Sequence, residues 1–184
     1  GMNAHKNILG ALKAMPEVFA RAPDVHLAIV GDTSGKGFFD NVPAIKAHIA
    51  AHPVLSARVR LTGYASDDDV VALFASAEAM LFPSLWEGFG LPAVEAMACG
   101  LPVLASNRSS LPEIIGDAGL YFDPEDTASI AEAATRFLED DALRARLRAA
   151  ALPRAARFTW ARAAELAEQS FLKAVRREMP DESR

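Results

Sequence analysis

Only one cysteine, Cys99, occurs in the 184 residues. It can close no internal disulfide and has no partner cysteines for a metal cluster, which excludes a disulfide scaffold and fits a reducing compartment such as the cytosol. Basic charge is not in excess either: 19 Lys and Arg stand against 24 Asp and Glu, a net charge of -5. Nucleic-acid binding through bulk positive charge is thereby excluded, and any phosphate binding must be local. No apolar run approaches the ~20 residues of a membrane span, and the opening Gly1-Met2-Asn3-Ala4-His5-Lys6 has no apolar core behind its charges. His5, His26, His48 and His52 form no cluster at metal-ligand spacing. Internal repeats and low-complexity tracts are also missing.

What is present is apolar bulk. At 51% hydrophobic residues the chain can bury a real core and has the size of one domain, taken as residues 1 to 184 with a frayed tail from Met179. Short Val, Ile, Leu and Phe runs alternate with helical segments, the pattern of a parallel sheet covered on both faces. Five strands are expected, at residues 26–31, 58–63, 79–83, 102–106 and 119–122. Turn and capping residues follow each of them.

Helices are read from spacing and caps. Ile8, Leu9 and Leu12 share a face after Asn7, and Pro16 is expected to break or restart that helix. Ser66 and Asp69 form a capping signal ahead of a buried stripe of Val70, Leu73 and Phe74. Pro92 starts a helix that ends at Gly100. Thr127, Asp140 and Thr159 open three more, the last running through Trp160, Leu166 and Phe171. Residues 32–43, rich in Gly, Ser and Asp, are expected to be a mobile loop.

The chain opens with a helix, whereas a doubly wound domain begins with its central strand, so a first strand is expected to be missing. In the order 3-2-1-4-5-6 that absence leaves strands 26–31 and 79–83 with unpaired inner edges about 10 Å apart. Either the sheet closes up or a second chain fills the gap, giving oligomers. Gly1 before Met2 reads as a remnant of tag removal.

The chemistry concentrates in residues 81–107, LFPSLWEGFGLPAVEAMACGLPVLASN. A strand, a glycine-bearing turn and a helix start follow one another, the arrangement that binds phosphate through free backbone N–H groups and the positive end of a helix dipole. Gly88 and Gly90 allow close backbone approach, so an anion site is expected around Phe89, Gly90 and Leu91. Glu87 and Glu95 lie eight positions apart and could face one crevice at the carboxyl ends of the strands. Carboxylates there accept hydrogen bonds from vicinal hydroxyls, which points to a sugar nucleotide rather than a bare phosphate.

Glu87-Gly88-Phe89-Gly90-Leu91-Pro92-Ala93-Val94-Glu95 resembles the E-x7-E signature of GT-B glycosyltransferases, above all the retaining group called family 4. The resemblance extends to Val30-Gly31-Asp32, Leu61-Thr62-Gly63-Tyr64, Leu111-Pro112-Glu113, Gly116-Asp117-Ala118-Gly119 and Phe158-Thr159-Trp160. It implies a Rossmann-like α/β fold, a parallel sheet with helices on both faces, matching a GT-B C-terminal domain without its first strand. By the same resemblance Glu95 binds the donor ribose, Glu87 holds hydroxyls of the transferred sugar, and the amides of Phe89, Gly90 and Leu91 meet phosphate or sugar. The loop after Gly63 and Tyr64 contacts the base, and Lys6 sits on the diphosphate. The donor is a GDP- or UDP-hexose, no cofactor is required, and the partner is an N-terminal acceptor domain absent from this chain.

Each residue also has a plainer reading. The glutamates could be solvated or capping carboxylates, Lys6 a solvated terminal lysine, and Trp86 a wall of the core rather than a stacking platform. Asp67, Asp68 and Asp69 read as a solvated helix start, and Cys99 as packing. The resulting expectation is a fragment, nearly inactive alone, of a hexosyltransferase of cell-envelope polysaccharide biosynthesis. It is expected to be cytoplasmic, with any contact to the inner membrane face made through the missing half. The competing expectation is a non-catalytic nucleotide-sugar-binding or assembly module with the same fold.

Overall fold

A computed structural model describes residues 2–34 and 41–178. The expected loop at 32–43 therefore lies partly, and the expected tail from Met179 wholly, outside the described residues.

The chain alternates as its hydrophobic pattern requires. Helix α1 (Ile8–Arg21) leads to β1 (Leu27–Val30), then α2 (Val42–Ala51), α3 (Pro53–Arg58), β2 (Val59–Gly63) and α4 (Asp67–Ser76). There follow β3 (Met80–Phe82), α5 (Leu91–Ala98), β4 (Val103–Ser106), α6 (Leu111–Ile115), β5 (Gly119–Phe122), α7 (Thr127–Glu139), α8 (Asp141–Ala155) and α9 (Trp160–Glu178). The five strands fall where the apolar runs place them. Helices α2, α3 and α6 carry no strong periodicity and were not anticipated.

All pairings are parallel, as the helical crossovers between successive strands dictate. The strands form two groups, β1-β2 and β3-β4-β5, with no ladder between β1 and β3 among the described residues. The expected closing-up of the sheet between β1 and β3 is therefore not seen among the described residues. Closure would require β1 and β3 to abandon the helices on which they are already packed: Leu27, Ile29, Leu81, Leu104 and Phe122 join α1, α2, α3 and α7 in one apolar cluster. On the opposite face, Phe82, Val103 and Ala105 pack with α5, α6 and α8.

Two helices depart from expectation. Pro16 does not interrupt α1, which runs continuously through it. Burial of Leu12, Met15, Val18 and Phe19 on one stripe holds the helix across the missing N–H, outweighing a local defect of about 3 kcal/mol. In α4 the Ser66–Asp69 capping box forms as read, but the helix has no buried residue: Val70, Leu73 and Phe74 are only half-buried. An open surface depression of about 430 Å³, lined by Thr62, Tyr64, Asp69, Leu73 and Ser76, lies alongside α4 and the end of β2.

Asp140 caps α8 through Leu143 N, and Thr159 Oγ1 accepts from Arg162 N at the start of α9. Helix α7 opens at Thr127 as read, with Asp126 as its N-cap. Its carboxylate accepts from Ala128 N at 2.9 Å.

Candidate functional site

The turn between β3 and α5 carries most of the residues singled out in the sequence. Gly90 caps α5 at φ 95°, a left-handed conformation that glycine adopts without steric penalty, and Pro92 lies in the first helical turn where no N–H is needed. Among the described residues, no acceptor takes the backbone N–H of Gly88, Phe89, Gly90 or Leu91. These donors stand at the positive end of the α5 dipole, which favours an anion. Phe89 and Leu91 are exposed, as a loop that meets a ligand must be.

Lys6 reaches this turn from the far end of the sequence. A short 3-10 turn, Ala4–Lys6, precedes α1, with Asn7 at φ 51° between them. The Asn7 amide donates to Pro124 O at 2.7 Å, and Leu85 N donates to His5 O at 2.8 Å. The first ties the N-terminal segment to the loop after β5, and the second holds it against the β3–α5 turn. Lys6 Nζ consequently lies 2.6 Å from Glu87 Oε1 and 5.8 Å from the centre of the Phe82 ring. The pair is largely shielded, with side-chain exposures of 28% and 11%. Two residues 81 positions apart, both given a donor-site role by the resemblance, therefore meet.

The other candidates are more open. Glu95, on α5, is exposed and makes no side-chain hydrogen bond or ion pair with the described residues. Tyr64 is 84% exposed and lines the depression beside β2, together with Thr62 next to Gly63. Neither glutamate lines that depression. Trp86 is 63% exposed, with its ring edge-on to His5 at 6.0 Å, so it is no wall of the core. Cys99 is half-buried with a free thiol. Asp67, Asp68 and Asp69 are exposed in the first turn of α4, and the described residues contain no acidic, His or Cys group arranged to hold a metal ion.

Sequence reading missed three serines, Ser84, Ser109 and Ser110. Ser109 Oγ donates to Glu87 O at 2.6 Å, and Ser110 Oγ lies 3.1 Å from both Glu87 O and Phe89 O. Ser84, 1% exposed, finds no hydrogen-bond partner among the described residues. Only the position of Ser110 three residues before Glu113 carried a signal, and it reads as a helix cap.

A family model described as glycosyl transferases group 1 matches residues 2–153. The chain belongs to this family. Among curated relatives, the O-antigen chain mannosyltransferase B of Escherichia coli is 46% identical over 102 residues, 55% of this chain and 27% of that protein. The D-inositol 3-phosphate glycosyltransferase of Corynebacterium aurimucosum is 32% identical over 174 residues, 92% of this chain and 41% of the relative. The fold superposes on sucrose-phosphate synthase of Thermosynechococcus elongatus with a TM-score of 0.78 at 25% identity, covering 96% of this chain and 44% of that one. It also matches Anabaena HepE, solved in complex with UDP, with a TM-score of 0.76 at 23% identity over 94% of this chain and 46% of HepE. This group 1 chain thus spans less than half the length of these relatives. Its parallel α/β architecture, with helices on both faces of the strands, is that of the GT-B glycosyltransferases they represent.

Proposed function

We propose that the chain is the donor-binding domain of a retaining, family 4 GT-B glycosyltransferase that transfers a hexose from a nucleoside-diphosphate sugar to a glycan, lipid or small-molecule acceptor. The observation that carries this reading is the Lys6–Glu87 contact beside four backbone amides that lack acceptors. A diphosphate arriving at those amides competes with Glu87 for the Lys6 ammonium. Glu87, released from its ion pair but still held by the turn, then accepts hydroxyls of the sugar ring. Lys6 offsets the charge that grows on the leaving diphosphate, and a group placed where charge develops lowers the barrier most. Glu95, exposed and unpaired, is left for the ribose, and the loop from Gly63 to Tyr64 for the base.

Chemistry in this half is confined to leaving-group departure. Retention follows if the acceptor hydroxyl attacks the face from which the diphosphate leaves. The acceptor surface belongs to a second domain, without which there is no proximity effect and the isolated chain transfers sugar hardly at all. The hexose assignment draws support from the relatives named mannosyltransferases, and the nucleotide assignment from the relative solved with UDP. The reading includes a role in cell-envelope polysaccharide assembly, by analogy with the O-antigen enzyme, at the cytoplasmic side of the inner membrane. No helix among the described residues is long and apolar enough to cross a membrane.

Calorimetric titration with UDP and with GDP, paired with a sugar-transfer assay, tests the proposal. Binding of one nucleotide without transfer is the expected result for this chain. Binding of neither removes the donor-site reading, and transfer by the chain alone removes the division of labour between two domains.

A further inference from the structure

The sequence Ser110-Leu111-Pro112-Glu113 spells a capping box for α6, yet Ser110, at the N-cap position, makes no capping hydrogen bond. Its hydroxyl is turned instead to the carbonyls of Glu87 and Phe89, both at 3.1 Å. Ser109 joins it: the hydroxyl donates to Glu87 O at 2.6 Å and faces Glu87 N at 3.4 Å. Ser109 does so from φ 57°, a left-handed conformation that non-glycine residues seldom adopt. A forgone helix cap and a disfavoured backbone conformation both serve the same contact.

We propose that Ser109 and Ser110 are positioning residues that set the direction of the amides in the Glu87–Gly90 turn. The inference rests on the donor-site reading and deepens it. In a trans peptide the carbonyl and the following N–H point in opposite directions. Holding the Glu87 carbonyl toward the serines therefore aims the Gly88 N–H away from them, and holding the Phe89 carbonyl does the same for the Gly90 N–H. No other side chain donates to these two carbonyls among the described residues. Gly88 and Gly90 leave the turn free to rotate its peptide planes, so without the hydroxyls the amides lose their common direction. The Glu87 side chain, anchored on the same peptide, loses its alignment with them.

The test uses Trp86, adjacent to Glu87, as a reporter. The chain has two tryptophans, and the other, Trp160, is 88% exposed, so W160F leaves a single fluorophore on the turn. In that background S110A and S109G are compared with S110T. S109G relieves the left-handed strain while deleting the hydroxyl, so loss of folding does not confuse its outcome. Each deletion is expected to lower Trp86 anisotropy and to weaken UDP or GDP binding by about tenfold, the scale of one lost hydrogen bond. S110T, which retains a hydroxyl, is expected to restore both readouts. Unchanged anisotropy and affinity in S109G and S110A overturn the proposal. If the parent binds neither nucleotide, the donor reading falls separately, while the anisotropy still decides whether the serines hold the turn.

Discussion

At the scale of single residues, the Lys6–Glu87 pair decides most. Its worth to the fold is small, because partly exposed ion pairs contribute about 1 kcal/mol or less. Its worth to binding should be larger. Lys6→Ala is expected to reduce affinity for a nucleoside diphosphate by about tenfold or more, as loss of a charge-assisted contact does, and to leave the monophosphate nearly unaffected. Calorimetry with UDP against UMP, or GDP against GMP, checks it. The two glycines of the turn separate in the same spirit. A Cβ on Gly88 meets nothing within 4 Å, whereas one on Gly90 falls 2.8 Å from Leu111 Cδ2 and is strained at φ 95°. Gly90→Ala should therefore lower stability by about 1–2 kcal/mol in urea denaturation, and Gly88→Ala should leave it unchanged while weakening nucleotide binding. Tyr121 supplies a pH test. Burial, opposed by Arg154 and reinforced by Asp117, pushes its phenol up to about 12, and its hydroxyl donates to Gly116 O at 2.6 Å. Because the folded value is raised, its stabilising contribution is complete below the unfolded value of about 10 and is lost as pH rises through about 12. Ultraviolet titration of Tyr64→Phe, which leaves Tyr121 as the sole tyrosine, follows that ionisation directly.

At the scale of elements, the strands were legible and some helices were not. Each strand is a short apolar run bounded by turn residues, a local signal that survives whatever surrounds it. Pro16 read as a break because its effect on the backbone is local, whereas the burial that overrides it is tertiary. The stripe on α4 read as buried because apolar spacing reports what a helix could cover, not whether a neighbour is there. The contact of Ser109 and Ser110 with the Glu87–Gly90 turn was illegible for a related reason: a serine hydroxyl is assigned to the nearest helix start unless the carbonyls of a distant turn are known to lie beside it. Helix α9 is the largest such case. Trp160, Phe171 and Val175 fall on one stripe of it, yet all are exposed, with Phe171 at 72%. A chain ending at Thr159 is therefore expected to unfold within about 0.5 kcal/mol of the full chain, as measured by urea denaturation. A larger loss would mean that α9 packs on the domain in solution.

At the scale of the whole molecule, the sequence order proved a better guide than the pattern of any one segment. Glu87 and Lys6 were chosen by resemblance, with no distance between them, and folding brings them to 2.6 Å. Glu87 lies in the loop after β3, at the strand end where ligands of open α/β folds bind, and the His5–Leu85 hydrogen bond brings Lys6 to it from the turn before α1. What the chain could not disclose is how a sheet interrupted between β1 and β3 settles, since the answer depends on helices packed across both groups of strands. The most direct trial of the account is a backbone amide spectrum recorded during titration with UDP and with GDP. The account predicts that the largest shifts gather at Gly88, Phe89, Gly90 and Leu91, with a second set at Lys6 and Tyr64. Shifts that leave those four amides in place, or none at all at saturating nucleotide, would contradict it.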